Sequence, residues 1–326
     1  MTSVKKGIDG KSNAIGEILT SDLKVNSVVR NRFGIMRQSS ATNKLAMMKT
    51  SLYSQADSSD TLEVENGNLK VTLENFSTLG NGLKTTTHRL VDAIMLRATE
   101  LGLKDKTVYL SIEEYMNMCG LKNLREMRKQ VNAELRTLEN MHITFNKSSN
   151  REQSFDDIKI CEATDIKNNH IIFTFSDEFY RIMKSMPVMP YPMKLFNINN
   201  KKNPNSYYFL KKLAEHKKMN YFKKNSDTIS VRTLLECTPE LPAYDDVISG
   251  DRAVARRIIE PFERDLNELE DVLKWEYCHS NGTPLTDEET ENFNYHIFYG
   301  LMIKINWIDY PELQKKQRTK KKVSVE

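Results

Sequence analysis

The sequence predicts an α+β fold in which one order of elements is laid down twice, and three observations predict it. Between residues 84 and 175, and again between 203 and 307, the polarity pattern reads helix, short strand, short helix, connection, long helix and β-ribbon. In each copy a serine, Ser111 or Ser230, stands between the strand and the short helix, where its hydroxyl can cap that helix. Outside the copies the chain is polar and weakly periodic: residues 1–80 are rich in Ser, Thr, Asn and Lys, and residues 315–322 are strongly basic. The repeated order is that of a winged helix-turn-helix. The expected organisation is therefore two tandem winged helix-turn-helix domains, at 81–185 and 195–312. A partly disordered polar N-terminal arm over 1–80 precedes them and a basic C-terminal tail over 313–326 follows.

The arm holds only weak candidates for short elements, at residues 15–29 and 46–52. In the first copy Thr85, Thr86 and Thr87 lead into a helix with Leu90, Ile94 and Leu101 on one face and Val91, Met95 and Ala98 beside them. Residues 107–112 alternate as a short strand. Ser111 with Glu114 makes a capping box for a helix that Gly120 stops. Asn123 with Glu126 starts the long helix, whose inward positions are Leu124, Met127, Val131, Leu135 and Leu138. Strands follow from residue 142, at 158–162 and at 171–175, with a turn over 147–151 and a short helix over 176–183. Pro187, Pro190 and Pro192 cannot continue that helix and mark a boundary.

The second copy opens on Asn203 as a cap with Pro204 at the first helical position. Tyr207, Tyr208 and Phe209 are expected in the core, with Lys211, Lys212, Lys217 and Lys218 on a solvated basic face. Ser230 caps the short helix. The long helix carries Val254, Ile258, Phe262, Leu266 and Leu269 at core spacing, and Pro261 should kink or break it near Glu260. A strand ending at Cys278, a polar acidic tip over 279–294 and a return strand over 296–307 complete the copy.

Charge is informative by placement. Of 48 basic and 44 acidic residues, six basic and one acidic lie in 315–326, so the rest of the chain holds 42 against 43. Binding to a polyanion must then come from local stripes. No apolar run reaches the roughly 18 residues of a membrane span, and the first residues lack a secretory core, which places the protein in the cytoplasm. Cys119, Cys161, Cys237 and Cys278 are scattered without metal spacing and read as reduced thiols. There is no phosphate-cradling GxxxxGK[ST] loop and no His-x-His pair, and no nucleophile has a base at a recognisable spacing. No cofactor, metal or catalytic residue is expected, and the chain reads as a non-enzyme.

The chemistry lies on the long helix of the first copy. Arg125, Arg128, Lys129, Asn132 and Arg136 fall on one stripe turned away from the apolar face. Arg pairs bidentately with guanine and Asn with adenine, and the helix after a short turn and before a wing is the one that enters a major groove. The matching helix of the second copy offers Arg252, Arg256 and Arg257 near its start, with Glu260, Glu263 and Glu268 further along. Arg264 can pair with Glu260 or Glu268 at four-residue spacing. Lys147 and Arg151 flank the first ribbon's expected tip and suit phosphate contacts.

Three stretches resemble the two-winged-helix replication initiators of theta-replicating bacterial plasmids. They are THRLVDAIMLRATELGLKDKTVYLSIEEYMNMCGLKN, REMRKQVNAELRTLENMHITF and RRIIEPFERDLNELEDVLKWEYC. The resemblance spans about residues 80–310. It implies sequence-specific binding to double-stranded DNA with repeated origin sites, melting of adjacent DNA, and recruitment of host replication proteins (the helicase or its loader). It also implies a homodimer formed through the first unit, with the second doing much of the specific reading. Here the tidier basic stripe is in the first unit, a departure from that division. A winged-helix transcriptional regulator and a protein-interaction scaffold are the competing readings.

Overall fold

The computed structural model describes residues 32–50, 54–79, 82–147, 154–250 and 253–313. The chain enters through β1 (Phe33–Arg37), α1 (Ser40–Leu45) and the hairpin of β2 (Leu62–Asn66) and β3 (Leu69–Leu73). The first winged helix follows: α2 (Thr85–Glu100), β4 (Thr107–Ser111), α3 (Ile112–Cys119), α4 (Leu124–Glu139), β5 (Met141–Phe145), β6 (Phe155–Lys159), β7 (Cys161–Lys167), β8 (His170–Phe175) and α5 (Asp177–Ser185). β9 (Val188–Pro192) and α6 (Lys194–Asn197) connect it to the second. That unit comprises α7 (Ser206–Asn220), β10 (Thr228–Ser230), α8 (Val231–Cys237), α9 (Tyr244–Gly250), α10 (Glu260–Asn267), β11 (Leu273–Cys278), α11 (Asp287–Glu291), α12 (Tyr295–Gly300) and β12 (Met302–Trp307).

The two units share one sheet topology. In each, the last strand lies between the other two, in the orders β4-β8-β7 and β10-β12-β11, all antiparallel. The same local chemistry starts the short helix in both: Ser111 Oγ accepts from Glu114 N, and Ser230 Oγ from Thr233 N. Gly120, at φ 65°, ends α3 in the left-handed region that a residue without Cβ enters freely. α2 is buried on nearly every side and forms the axis of the first unit. α4 is strongly two-faced, with Met127, Val131, Leu135 and Leu138 buried.

Several expectations need correction. From Phe33 onward the expected arm is part of the fold. β1 pairs antiparallel with β9, and β3 pairs with β5 in a four-stranded sheet of order β2-β3-β5-β6. β1 and β9 are about 150 residues apart, so local periodicity could not join them; the β2–β3 hairpin is local, and the alternating run around Asn66-Gly67 is the signal that could have located it. The 15–29 candidate lies outside the described residues. The proline-rich boundary is itself β9; with only one neighbour, its prolines need not donate on the open side. Leu101 and Leu124 lie at helix ends and are exposed. α7 starts at Ser206 rather than after Asn203, because Asn205 is held by Asp265 in the capping position. The return strand begins at Met302: Asn294 Oδ1 accepts from His296 N and Ile297 N and starts α12 there instead.

The core is continuous across both units and the connecting strand. Phe33 of β1 also packs on Trp307 and Tyr310, with ring centroids 6.3 and 5.5 Å away, tying the entry strand to the second unit. Among the described residues no helix is long and apolar enough to cross a membrane.

Candidate nucleic-acid interface

α4 begins where Asn123 Oδ1 accepts from Glu126 N at 3.2 Å, just past the α3–α4 turn. At about 100° per residue, Arg125, Arg128, Lys129, Asn132 and Arg136 fall within an arc of roughly 100°. All five are exposed. Glu134 projects from the opposite side, is buried, and accepts from the Thr86 and Thr87 hydroxyls at the start of α2. Burial pushes its carboxyl up from the usual range, and the two hydroxyls pull against that. Glu139 does share the stripe's side but is occupied by Thr164 of β7, accepting from its N and Oγ1 at 3.2 and 2.5 Å. The outward stripe is thus cationic: Glu134 is turned inward, Glu139 is held by the sheet, and the exposed Glu126 stands about 100° round the helix from Arg125, off the stripe.

The wing of this unit is the β7–β8 hairpin, not the β5–β6 hairpin that Lys147 and Arg151 were expected to flank. β8 pairs with both β4 and β7, whereas β5 and β6 extend the separate sheet of β2 and β3. Lys147 is exposed at the end of β5, on that other sheet, and Arg151 lies outside the described residues. The wing tip is Asn168-Asn169, at φ 50° and 61°, the left-handed pair of a two-residue hairpin turn. Asn169 O accepts from Ile112 N at 2.8 Å, and Asn169 Oδ1 accepts from the Arg128 guanidinium. The tip is therefore fastened to the start of α3 and to the stripe, with Lys167 and His170 exposed beside it. An Asn-Asn pair between two alternating runs is a hairpin signal that could have located this tip from sequence.

The second unit's equivalent helix is different. A π-helical turn over Ala255–Ile259 precedes α10, and Glu260 N–H reaches the Ala255 carbonyl five residues back. Pro261 has no N–H to offer Arg257 O, so a wider turn absorbs the break expected there. Arg256 is exposed and Arg257 half-buried on adjacent positions, so they share no stripe; Arg252 lies outside the described residues. Arg264 pairs not with Glu260 or Glu268 but with Asp265 at 2.7 Å, while Glu268 takes Lys194 at 3.2 Å and Asn203 at 2.7 Å. The wing carries α11, Asp287–Glu291, with three acids in its first turn. A cleft of about 570 Å³ beside α8, α9 and α12 is lined by Tyr244, Tyr295 and Tyr299 and also holds Glu236 and Asp245.

Lys211 was expected on a solvated face and is instead buried against Asp92 at 2.6 Å, a partner too distant in sequence to be seen from spacing. Tyr207, Tyr208 and Phe209 lie in the core as expected. Burial pushes the Cys161 and Cys237 thiols up to about 12, so neither is a thiolate at neutral pH. Among the described residues no group of three or more His, Cys, Asp or Glu is placed to hold a metal ion.

Residues 71–187, from β3 past α5, match the family model described as initiator replication protein, WH1. This stretch is similar to an initiator first winged-helix domain. The matched stretch contains α4, its stripe and the β7–β8 wing, together with the β5–β6 hairpin. Two solved structures run alongside most of the chain. The crystal structure of the Pi initiator protein in complex with iteron DNA is 10% identical, covering 88% of this chain and 98% of that one at a TM-score of 0.44. That of domains 2 and 3 of RctB is 11% identical, covering 82% and 98% at a TM-score of 0.42. No curated protein sequence matches the chain.

Proposed function

We propose that this protein starts replication by binding double-stranded DNA at repeated origin sites, with α4 in the major groove and the β7–β8 wing beside it. The observation that carries this reading is the exposed cationic stripe of Arg125, Arg128, Lys129, Asn132 and Arg136, on the helix that follows the turn, with a wing tip bonded to Arg128. Its N-terminal members stand where this motif meets base edges. Arg136, further along, suits a phosphate. Arg256, with Arg252 and Arg257 near it in sequence, supplies a weaker second contact, because Glu260 and Glu263 of α10 follow it within two turns and the same unit's wing carries the acidic α11. Lys147, on the other sheet, and Arg151 are secondary phosphate contacts at most. The protein acts without chemistry of its own, works in the cytoplasm, and recruits host replication proteins such as the helicase or its loader. A homodimer through the first unit belongs to the same proposal.

The test is selection of duplexes by the full chain from a random pool, followed by footprinting. The expected product is a consensus with two protected blocks centred about 10–10.5 base pairs apart. Selection of no sequence over the starting pool at roughly 100 mM salt, where phosphate contacts still hold, would overturn the reading.

A further inference from the structure

Each of the two long helices carries one buried acid that fastens it to the first helix of its own unit. In the first unit Glu134 of α4 takes the Thr86 and Thr87 hydroxyls of α2. In the second, Asp265 of α10, fully buried, accepts from Asn205 N and Nδ2 at 2.8 Å each, and its carbonyl accepts from Ser206 Oγ at 2.7 Å, at the start of α7. The two first helices are then fastened to each other. The Lys211 ammonium of α7 donates to Asp92 Oδ1 at 2.7 Å and Oδ2 at 2.6 Å. Tyr191 of β9 and Tyr207 of α7 donate their hydroxyls to Asp92 Oδ2 at 2.6 and 3.0 Å. The side chains of the ion pair are 3% and 6% exposed. A chain of buried polar contacts therefore runs from α4 through α2 and α7 to α10.

A buried ion pair adds little net stability over apolar side chains of the same volume, and its best-attested use is to fix one geometry. The surrounding core is apolar and non-directional, so on its own it tolerates small slides of α7 over α2. A carboxylate that must meet one ammonium and two hydroxyls has a single arrangement. Any slide leaves a charge buried and unpaired.

We infer that Asp92 and Lys211 are the register pin between the two winged helices, fixing the separation of α4 from α10 and hence the spacing of the DNA segments the protein accepts. This rests on the DNA reading proposed above. Both are positioning residues, buried in the join between the units.

The probe is the consensus duplex selected by the full chain, remade with its two protected blocks moved by one or two base pairs in either direction. For the unaltered protein each base pair turns one block by about 34° relative to the other, and affinity is expected to fall at least tenfold. In the double variant Asp92→Asn/Lys211→Met, which leaves no unpaired charge, best-spacing affinity is expected within threefold and the one-base-pair penalty at threefold or less. Asp92→Asn alone, which strands the Lys211 ammonium, should lose thermal stability, and the double variant should regain it. A spin-label pair on exposed Ala133 and Glu260 should give one narrow distance in the unaltered chain and a broadened one in the double variant, without DNA. Retention of the tenfold penalty or of the narrow distance in the double variant overturns the register pin, as does a double variant that fails to fold. If the unaltered chain selects no duplex, the DNA reading itself fails, and the spin-label distances still report on the pin.

Discussion

In the first unit the helix after the turn is a continuous 16-residue α-helix whose outward side carries five exposed DNA-compatible residues. In the second, the equivalent helix starts in a π-helical turn, its Arg264 is held by Asp265, and the wing beyond it carries the acidic α11. Yet the sheet orders match and both short helices open on the same serine cap. One frame thus supports two different surfaces. What distinguishes them is the outward charge: an arc of four cations and one Asn on α4, against an Arg264 already paired with Asp265 and an exposed Glu260 on α10. Function in such folds is read from side-chain placement, not from the order of elements.

The comparison can be broken first at the core. Phe262 is fully buried and packs on Phe209 and Phe298 at 5.1 and 5.2 Å in the second unit. Phe262→Ala is expected to cost about 3–5 kcal/mol in urea unfolding. Because the core is continuous, that loss should appear in one transition reported by both units. A variant in which the first unit melts separately would show that the units differ in stability as well as surface.

Acid sensitivity should originate in the first unit. His88 of α2 is buried, bonds Met48 O, and is lowered from 6.5 to about 4, chiefly by burial. Its folded value lies below its unfolded one, so the unfolded chain binds the extra proton. Stability is therefore full above about 6.5, falls as pH drops through the window to about 4, and then levels, by roughly 3 kcal/mol for this group. Unfolding curves across that window should show this fall reduced in His88→Gln. An unchanged acid limb would place the acid sensitivity elsewhere.

Where the units are alike, they should respond alike. Ser111→Ala and Ser230→Ala each remove one helix cap and are expected to cost about 1 kcal/mol. A large inequality would mean that the shared frame is carried unequally. Smallest is the wing contact: Asn169→Ala frees Arg128 and is expected to change duplex affinity by about 0.5–1 kcal/mol, with the fold intact. A loss as large as that from removing the stripe cations would shift the reading from helix to wing.

Much of this was legible in the sequence because it is local. Ser111, Asn123, Gly120 and the five-residue stripe act within a turn or two of themselves, and Pro261 broke its helix where proline chemistry requires. Pairings remote along the chain were not legible. β1 with β9 joins segments that local periodicity cannot link, so Phe33 reads as part of an arm, whereas Val71 belongs to the local β2–β3 hairpin around Asn66-Gly67, a signal present in the sequence. Lys211 looked like one more lysine of a basic face until Asp92 was brought to it. The wing is hard to place from sequence because β5–β6 and β7–β8 are both ribbons by pattern, and only pairing with β4 tells them apart.

The central claim is that the stripe of α4 meets DNA. Its most direct test is the salt dependence of binding to the selected duplex for the unaltered chain, the triple variant Arg125→Ala/Arg128→Ala/Lys129→Ala, and Arg256→Ala. The triple variant is expected to lose on the order of a hundredfold or more in affinity, and its salt slope should be shallower by up to ~0.9 for each phosphate contact removed. Arg256→Ala should change affinity by less than about threefold, since the second unit's surface is the weaker contact. A triple variant that binds with unaltered affinity and slope, or an Arg256→Ala loss exceeding it, would contradict the account.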